Sequence, residues 1–84
     1  LDPDKSLYIS NVDSKVNEEI LIELFVQCGP VTNVYIPKDK ISGETFGYAF
    51  IEFRTEMDTD YANKVMDQIK LFGKPIKTNK ASLN

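Results

Sequence analysis

Histidine is absent from this sequence, and cysteine occurs once. These scarcities remove several classes of chemistry together. A His-based triad has no general base, and zinc clusters lack their ligands. A lone thiol forms no internal disulfide, which fits a reducing compartment. No apolar run approaches the roughly 18 residues that a membrane-spanning helix needs. The opening Leu1-Asp2-Pro3-Asp4-Lys5 is polar, shows no signal-peptide pattern and lacks an initiator Met, so the chain reads as a domain of a longer protein. No Asn-x-Ser/Thr acceptor occurs. An excess of positive charge is missing too: 13 Asp plus Glu outweigh 10 Lys plus Arg, for a net charge of -3. A domain that grips nucleic acid by bulk charge is normally basic overall, so charge alone argues against that role.

What remains is a small globular composition. The 84 residues are 42% hydrophobic, with five Phe and four Tyr, enough for one domain with a modest core. Leu7-Tyr8-Ile9-Ser10-Asn11-Val12 reads as a strand ended by Asn11 and Asp13. Asn17 is a good N-cap, Glu18 and Glu19 suit the positive end of a helix, and Gly29-Pro30 stops it. Val31 to Ile36 forms a second strand, followed by a polar loop from Lys38 to Thr45. Gly47 to Phe53 is an aromatic-rich third strand. Thr55-Glu56-Met57-Asp58 has the form of a capping box and opens a second helix, expected to bury Ala62, Val65, Met66 and Ile69. Gly73 and Pro75 break the chain before a last strand over Ile76 to Lys80.

The order β-α-β-β-α-β is that of the ferredoxin-like α+β plan: a four-stranded antiparallel sheet with two helices on one face. The expected domain spans residues 7–81, with residues 1–6 as an N-terminal tail and 82–84 as the start of a linker.

Strand side chains alternate between faces. Gly47, Ala49, Ile51 and Phe53 share one side of the third strand; Phe46, Tyr48, Phe50 and Glu52 share the other. Leu7 and Ile9 oppose Tyr8 and Ser10 in the first strand. The aliphatic sides belong against the helices, which leaves Tyr8, Tyr48 and Phe50 on a face that no remaining segment covers. Open aromatics among polar groups suit the stacking of unpaired bases.

Phe46-Gly47-Tyr48-Ala49-Phe50-Ile51-Glu52-Phe53 follows the RNP1 pattern of the RNA recognition motif (RRM) almost completely, and Leu7 to Val12 looks like its RNP2 partner. Both motifs lie at the right separation within the right element order. The chain is therefore identified as resembling the RRM family over nearly its whole length. The resemblance implies stacking of two bases on Tyr8 and Tyr48, with Phe50 against a sugar or between them. Asn11 would shape the turn after the first strand. Phe46 departs from the family's Lys or Arg at the first RNP1 slot, exchanging a charge contact for a hydrophobic one. Glu52 on the same face adds repulsion toward phosphate. Both features point to weak or narrowly selective RNA binding.

Positive charge is concentrated at the end. Lys70, Lys74, Lys77 and Lys80 follow one another after Ile69 with no acid among them. In the family pattern Lys77, Asn79, Lys80 and Ser82 sit where RNA leaves the sheet. Lys38 and Lys40 are candidate phosphate contacts, and Tyr35, on the face of Asn33, extends the platform.

The outer side of the helices carries a second signal. Leu21, Leu24, Phe25 and Cys28 form the core stripe of the first helix, with Cys28 as a structural thiol. Ile22 and Val26 lie off that stripe, among Glu18, Glu19 and Glu23, and Tyr61 flanks the stripe of the second helix. A clustered apolar patch with an acidic rim marks a partner site, and Ile22, Val26, Tyr61, Glu19 and Glu23 are its candidates, with Asp58 and Asp60 nearby.

Within the family, the segments Glu23–Val31, Pro37–Lys40, Asp60–Met66, Ile69–Ile76 and Asn79–Ser82 resemble an RRM of splicing factor 3b, a component of the U2 small nuclear ribonucleoprotein. That resemblance implies a nuclear role in pre-mRNA splicing near the branch site, and a protein partner, subunit 2 of splicing factor 3b, docked on the helical side. The alternative within the family is an RRM that binds protein alone. A small enzyme on the same fold, such as an acylphosphatase, needs an Arg and an Asn cradling phosphate at the first loop. Here that loop is Asp13-Ser14-Lys15, and the only Arg, Arg54, follows the third strand. No catalytic residue, cofactor, metal or small-molecule substrate is expected.

Overall fold

The apolar residues of the two central strands fall at every second position, and burial follows that period. Leu7 and Ile9 in the first strand and Ala49, Ile51 and Phe53 in the third are fully buried. A computed structural model describes residues 1–83. The strands are β1 (Ser6–Ser10), β2 (Val31–Tyr35), β3 (Tyr48–Phe53), β4 (Lys70–Leu71), β5 (Lys74–Pro75) and β6 (Lys77–Lys80); the helices are α1 (Glu18–Phe25) and α2 (Glu56–Met66). Short 3₁₀ turns occupy Pro3–Lys5 and Ala81–Leu83.

The main sheet is four-stranded and antiparallel, in the order β2-β3-β1-β6. Tyr8 pairs with Phe50 on one side and with Asn79 on the other. Both helices pack on the side that carries Leu7, Ile9, Ile51 and Phe53, and Leu21, Phe25, Ala62 and Met66 complete the core with Ile36 and Ile76. The α+β, ferredoxin-like plan expected from the sequence is the plan observed.

Both helices begin where capping chemistry places them. The Asn17 side chain accepts from the Ile20 N–H at 2.9 Å, and the Thr55 hydroxyl accepts from the Asp58 N–H at 3.1 Å. The end of α1 comes close to the start of α2. A Cβ on Gly29 would lie 2.5 Å from Cγ of Asp58, so the close approach requires glycine.

Helix α2 differs from expectation on its inner face. The buried positions are Thr59, Ala62 and Met66; Val65 is exposed, and Ile69 lies beyond the helix end. Thr59 takes the slot because its hydroxyl is satisfied twice: it donates to the carbonyls of Lys5 (2.8 Å) and Thr55 (3.0 Å). The first of those bonds fastens the N-terminal turn to the helix. β1 thus starts at Ser6 and is preceded by an ordered turn, where the sequence suggested only a polar tail.

A second unexpected element is the β4–β5 hairpin. Its two-residue loop, Phe72-Gly73, has positive φ at both positions (52° and 79°), the geometry of a type I′ turn. The Asn11 amide donates to the Pro75 carbonyl at 2.8 Å, and the Lys15 ammonium sits 5.5 Å from the centre of the Phe72 ring. Together these contacts dock the hairpin on the loop after β1, with Asn11 itself in left-handed backbone (φ 59°).

Candidate nucleic-acid interface

Five aromatic rings lie side by side on the face of the sheet away from the helices. Register places Tyr35, Phe50 and Tyr8 next to one another across β2, β3 and β1. Ring centres are 6.4 Å apart for Tyr35–Phe50, 5.5 Å for Phe50–Tyr8 and 5.6 Å for Tyr8–Tyr48. Phe46 continues the row beyond Tyr48, with centres 6.4 Å apart and planes inclined by 24°. Tyr8, Tyr48 and Phe50 are half-buried by their neighbours, while Tyr35 and Phe46 are more than half exposed. The rings brace one another without closing over, so one π surface faces solvent across three strands. Each base stacked on such a platform is worth about 1–3 kcal/mol. Phe46 joins this row as a fifth ring, in keeping with its place on the face of Tyr48 and Phe50 in the strand alternation.

The polar residues expected beside the row divide into two groups. Lys77 and Asn79 are exposed on β6, directly opposite Ser10 and Tyr8, and Ser82 is exposed in the turn that follows. Lys80 does not join them. Its register partner is Leu7, which places its side chain on the helical side of the sheet. There its ammonium donates to Asp60 at 2.7 Å and Glu56 at 2.9 Å, and these bonds raise its pKa against the opposing effect of burial. The period of two along β6 explains the correction: Lys77 and Asn79 share the open face, so Lys80 cannot. The ammonium of Lys38 lies 3.4 Å from Glu18 at the start of α1, in an exposed pair, and Lys40 is exposed in the same loop.

Glu52 also behaves differently from a free acid on the RNA side. Its carboxylate accepts from the Asn33 amide (2.9 Å), the Asp2 N–H (2.7 Å) and the Thr32 hydroxyl (2.7 Å). These bonds stabilise the ionised form and lower its pKa from 4.5 to about 2. The carboxylate clamps β2 and the N-terminal turn to β3, and three of its acceptor sites are already taken.

On the helical side, Ile22 and Val26 are exposed on α1 and Tyr61 on α2, with Glu19 and Glu23 solvated near the first pair. Met57 and Val65 join Tyr61 as exposed apolar residues, one helical turn away on either side. The i, i+4, i+8 spacing is present in the sequence, but the helical stripe predicts a buried Val65. Cys28 is half-buried against the core; desolvation raises its pKa, reinforced by the Asp58 carboxylate.

Comparison with known proteins agrees with this geometry. The family described as RNA recognition motif matches residues 7–77. The chain is 53% identical over 79 residues to human splicing factor 3B subunit 4, covering 94% of this chain and 19% of that protein. It is 49% identical over 74 residues to bovine RNA-binding protein 7, covering 88% of this chain and 28% of that one. The chain thus spans less than a third of the length of either relative. Among solved structures, the RRM of Rna15 with bound RNA (GU) superposes with a TM-score of 0.81 at 28% identity, over 89% of this chain and 80% of that chain. Motifs, topology, aromatic row and family match coincide over the same residues, and the chain belongs to the RNA recognition motif family.

Proposed function

We propose that this domain is a non-enzymatic RNA-binding and protein-docking module of a nuclear pre-mRNA splicing factor. The observation that carries the RNA half is the open row Tyr35–Phe50–Tyr8–Tyr48–Phe46, spanning three strands with no segment of the described chain laid over it. Unpaired bases stack on Tyr8 and Tyr48, Phe50 packs between them or on a sugar, and Tyr35 lengthens the platform. Lys77, Asn79 and Ser82 guide the strand off at β6, while the contribution of Lys38 is limited by its pairing with Glu18. A net charge of -3 leaves little sequence-independent attraction, so affinity rests on stacking.

Similarity to splicing factor 3B subunit 4 supports the splicing assignment; contact with pre-mRNA near the branch site, and subunit 2 of splicing factor 3b as the protein partner, are parts of the proposal. That partner docks on the helical side through Ile22, Val26 and Tyr61, with Glu19 and Glu23 facing its basic residues. Similarity to RNA-binding protein 7 supports the RNA half without specifying the complex. The second reading, a domain that binds protein alone, draws on the exposed apolar residues of both helices and on Phe46 in place of a phosphate-binding cation.

An NMR titration with a short single-stranded RNA, and separately with a peptide from the partner subunit, tests both halves. RNA should shift resonances of Tyr8, Tyr48 and Phe50, and the peptide those of Ile22, Val26 and Tyr61. Shifts at the helices with the peptide and none at all with RNA would establish the protein-only reading.

A further inference from the structure

The tip of the β4–β5 hairpin holds a bulky residue, Phe72, in left-handed backbone (φ 52°). The first position of such a turn favours Asn, Asp or Gly, which enter that region with less crowding than a large side chain. The fold gains little from the ring. Phe72 is 51% exposed and lies outside both the core and the aromatic row. A singly exposed apolar residue needs no explanation in itself. One held in strained backbone on an ordered turn points to a role at the surface.

Cations gather around this tip. The Lys15 ammonium lies 5.5 Å from the ring centre, Lys74 follows Gly73, and Lys70 opens the hairpin; all three lysines are exposed. Asp13 stands among them, accepting from the Lys15 N–H at 2.8 Å and its ammonium at 3.4 Å. The bond from the Lys15 N–H lowers the Asp13 pKa against desolvation, helped by the charges of Lys15 and Lys74. Asp13 thus offsets one lysine. No acid follows Asp67 in the chain, so the tip is a basic spot on a chain of net charge -3.

The tip also stands where the platform ends. Asn11, next after Ser10 of β1, donates to the Pro75 carbonyl at 2.8 Å. Ser10 pairs with Tyr48 on one side and Lys77 on the other. The hairpin therefore continues from the strand ends beside Tyr48. An open ring edged by ammonium groups suits a base and its phosphates. An acidic peptide would meet the same lysines, but continuity with the platform favours RNA.

We propose that the hairpin tip is a nucleotide site off the sheet face: an unpaired base of RNA leaving the platform stacks on Phe72, and its flanking phosphates face Lys15 and Lys74. The proposal rests on the reading of the sheet as an RNA platform. It accounts for a strained aromatic where Asn would suit the turn better.

Phe72→Asn tests this, with an oligouridylate long enough to reach past the sheet. Thermal unfolding should stay at the same temperature or rise, because Asn-Gly suits the turn. Affinity should fall about tenfold, the equivalent of one stack. Unchanged affinity in Phe72→Asn, with Tyr48→Ala weakened, would overturn the hairpin site while keeping the platform. No binding by the unaltered domain would overturn the RNA reading and the hairpin site with it. A lower unfolding temperature would show that the ring serves the fold, and would also overturn the site. Lys74→Gln should lower the slope of log affinity against log salt by roughly 0.7, and an unchanged slope would overturn the phosphate contact. In amide NMR, Lys15 and Gly73 should shift with the oligouridylate. Shifts there with oligoglutamate and none with RNA would assign the tip to an acidic peptide and overturn the nucleotide site.

Discussion

The Lys80 ammonium lies 2.7 Å from the Asp60 carboxylate, which ties the end of the last strand to the second helix on the side opposite the aromatic row. Only 11% of the lysine side chain is exposed, whereas both carboxylates it meets are more than half exposed. Removing the lysine therefore leaves two acids that water can solvate. Lys80→Met should lower stability by about 1 kcal/mol or less, seen as a lower denaturant midpoint. RNA affinity should be unchanged; a clear loss would return Lys80 to the RNA side. The sign with pH follows from the raised pKa. The contribution is complete below the ordinary lysine value and fades as pH rises through the folded value, so the variant and the parent should converge in strongly alkaline solution.

The two faces should separate by mutation. Tyr48→Ala removes one ring of the row and should weaken binding to single-stranded pre-mRNA by about 1–3 kcal/mol while pull-down of the partner subunit persists. Ile22→Glu places a charge in the apolar patch of α1 and should abolish pull-down with RNA affinity intact. Unchanged RNA affinity in the first variant, or surviving pull-down in the second, removes the corresponding face from the account.

Phe46 occupies the slot where the family places a cation. Phe46→Lys should restore a phosphate contact, and the slope of log affinity against log salt should steepen by roughly 0.7. A salt series monitored by fluorescence anisotropy reads this directly. An unchanged slope would mean that no phosphate passes this position.

Glu52 links acid stability to the clamp between β2, β3 and the N-terminal turn. Its folded pKa, about 2, lies below the ordinary 4.5. The carboxylate therefore stabilises the fold above the ordinary value, and this contribution is lost as pH falls through that interval toward 2. Glu52→Gln should flatten the decline of unfolding free energy on acidification from about pH 4.5 downward. Parallel curves for the two proteins would show that the three hydrogen bonds do not favour the ionised form.

Much of this architecture was legible because short-range rules act on it. Leu7, Ile9, Ile51 and Phe53 announce the buried side of the sheet by alternation, and Asn17 and Thr55 announce both helix starts by capping. The same alternation set Tyr8, Tyr48 and Phe50 apart on the open face. Val65 was misplaced because a helical stripe is wide and its edge depends on the packing partner; Thr59 won the buried slot only once the Lys5 carbonyl was there to accept its hydrogen bond. The β4–β5 hairpin escaped notice because its turn, Phe72-Gly73, carries half of the usual turn chemistry.

Element order, the identity of the aromatic face and the family motifs follow from periodicity and spacing, which are properties of neighbours along the chain. The two carboxylates that meet Lys80, the triple hydrogen bonding of Glu52 and an open cavity between the terminal turns do not. Each depends on groups far apart in sequence, such as Glu52 and Asp2 or Lys80 and Glu56, meeting in space. No local pattern encodes where such distant partners come to rest, because sheet register and helix docking are set by the packing of the whole core.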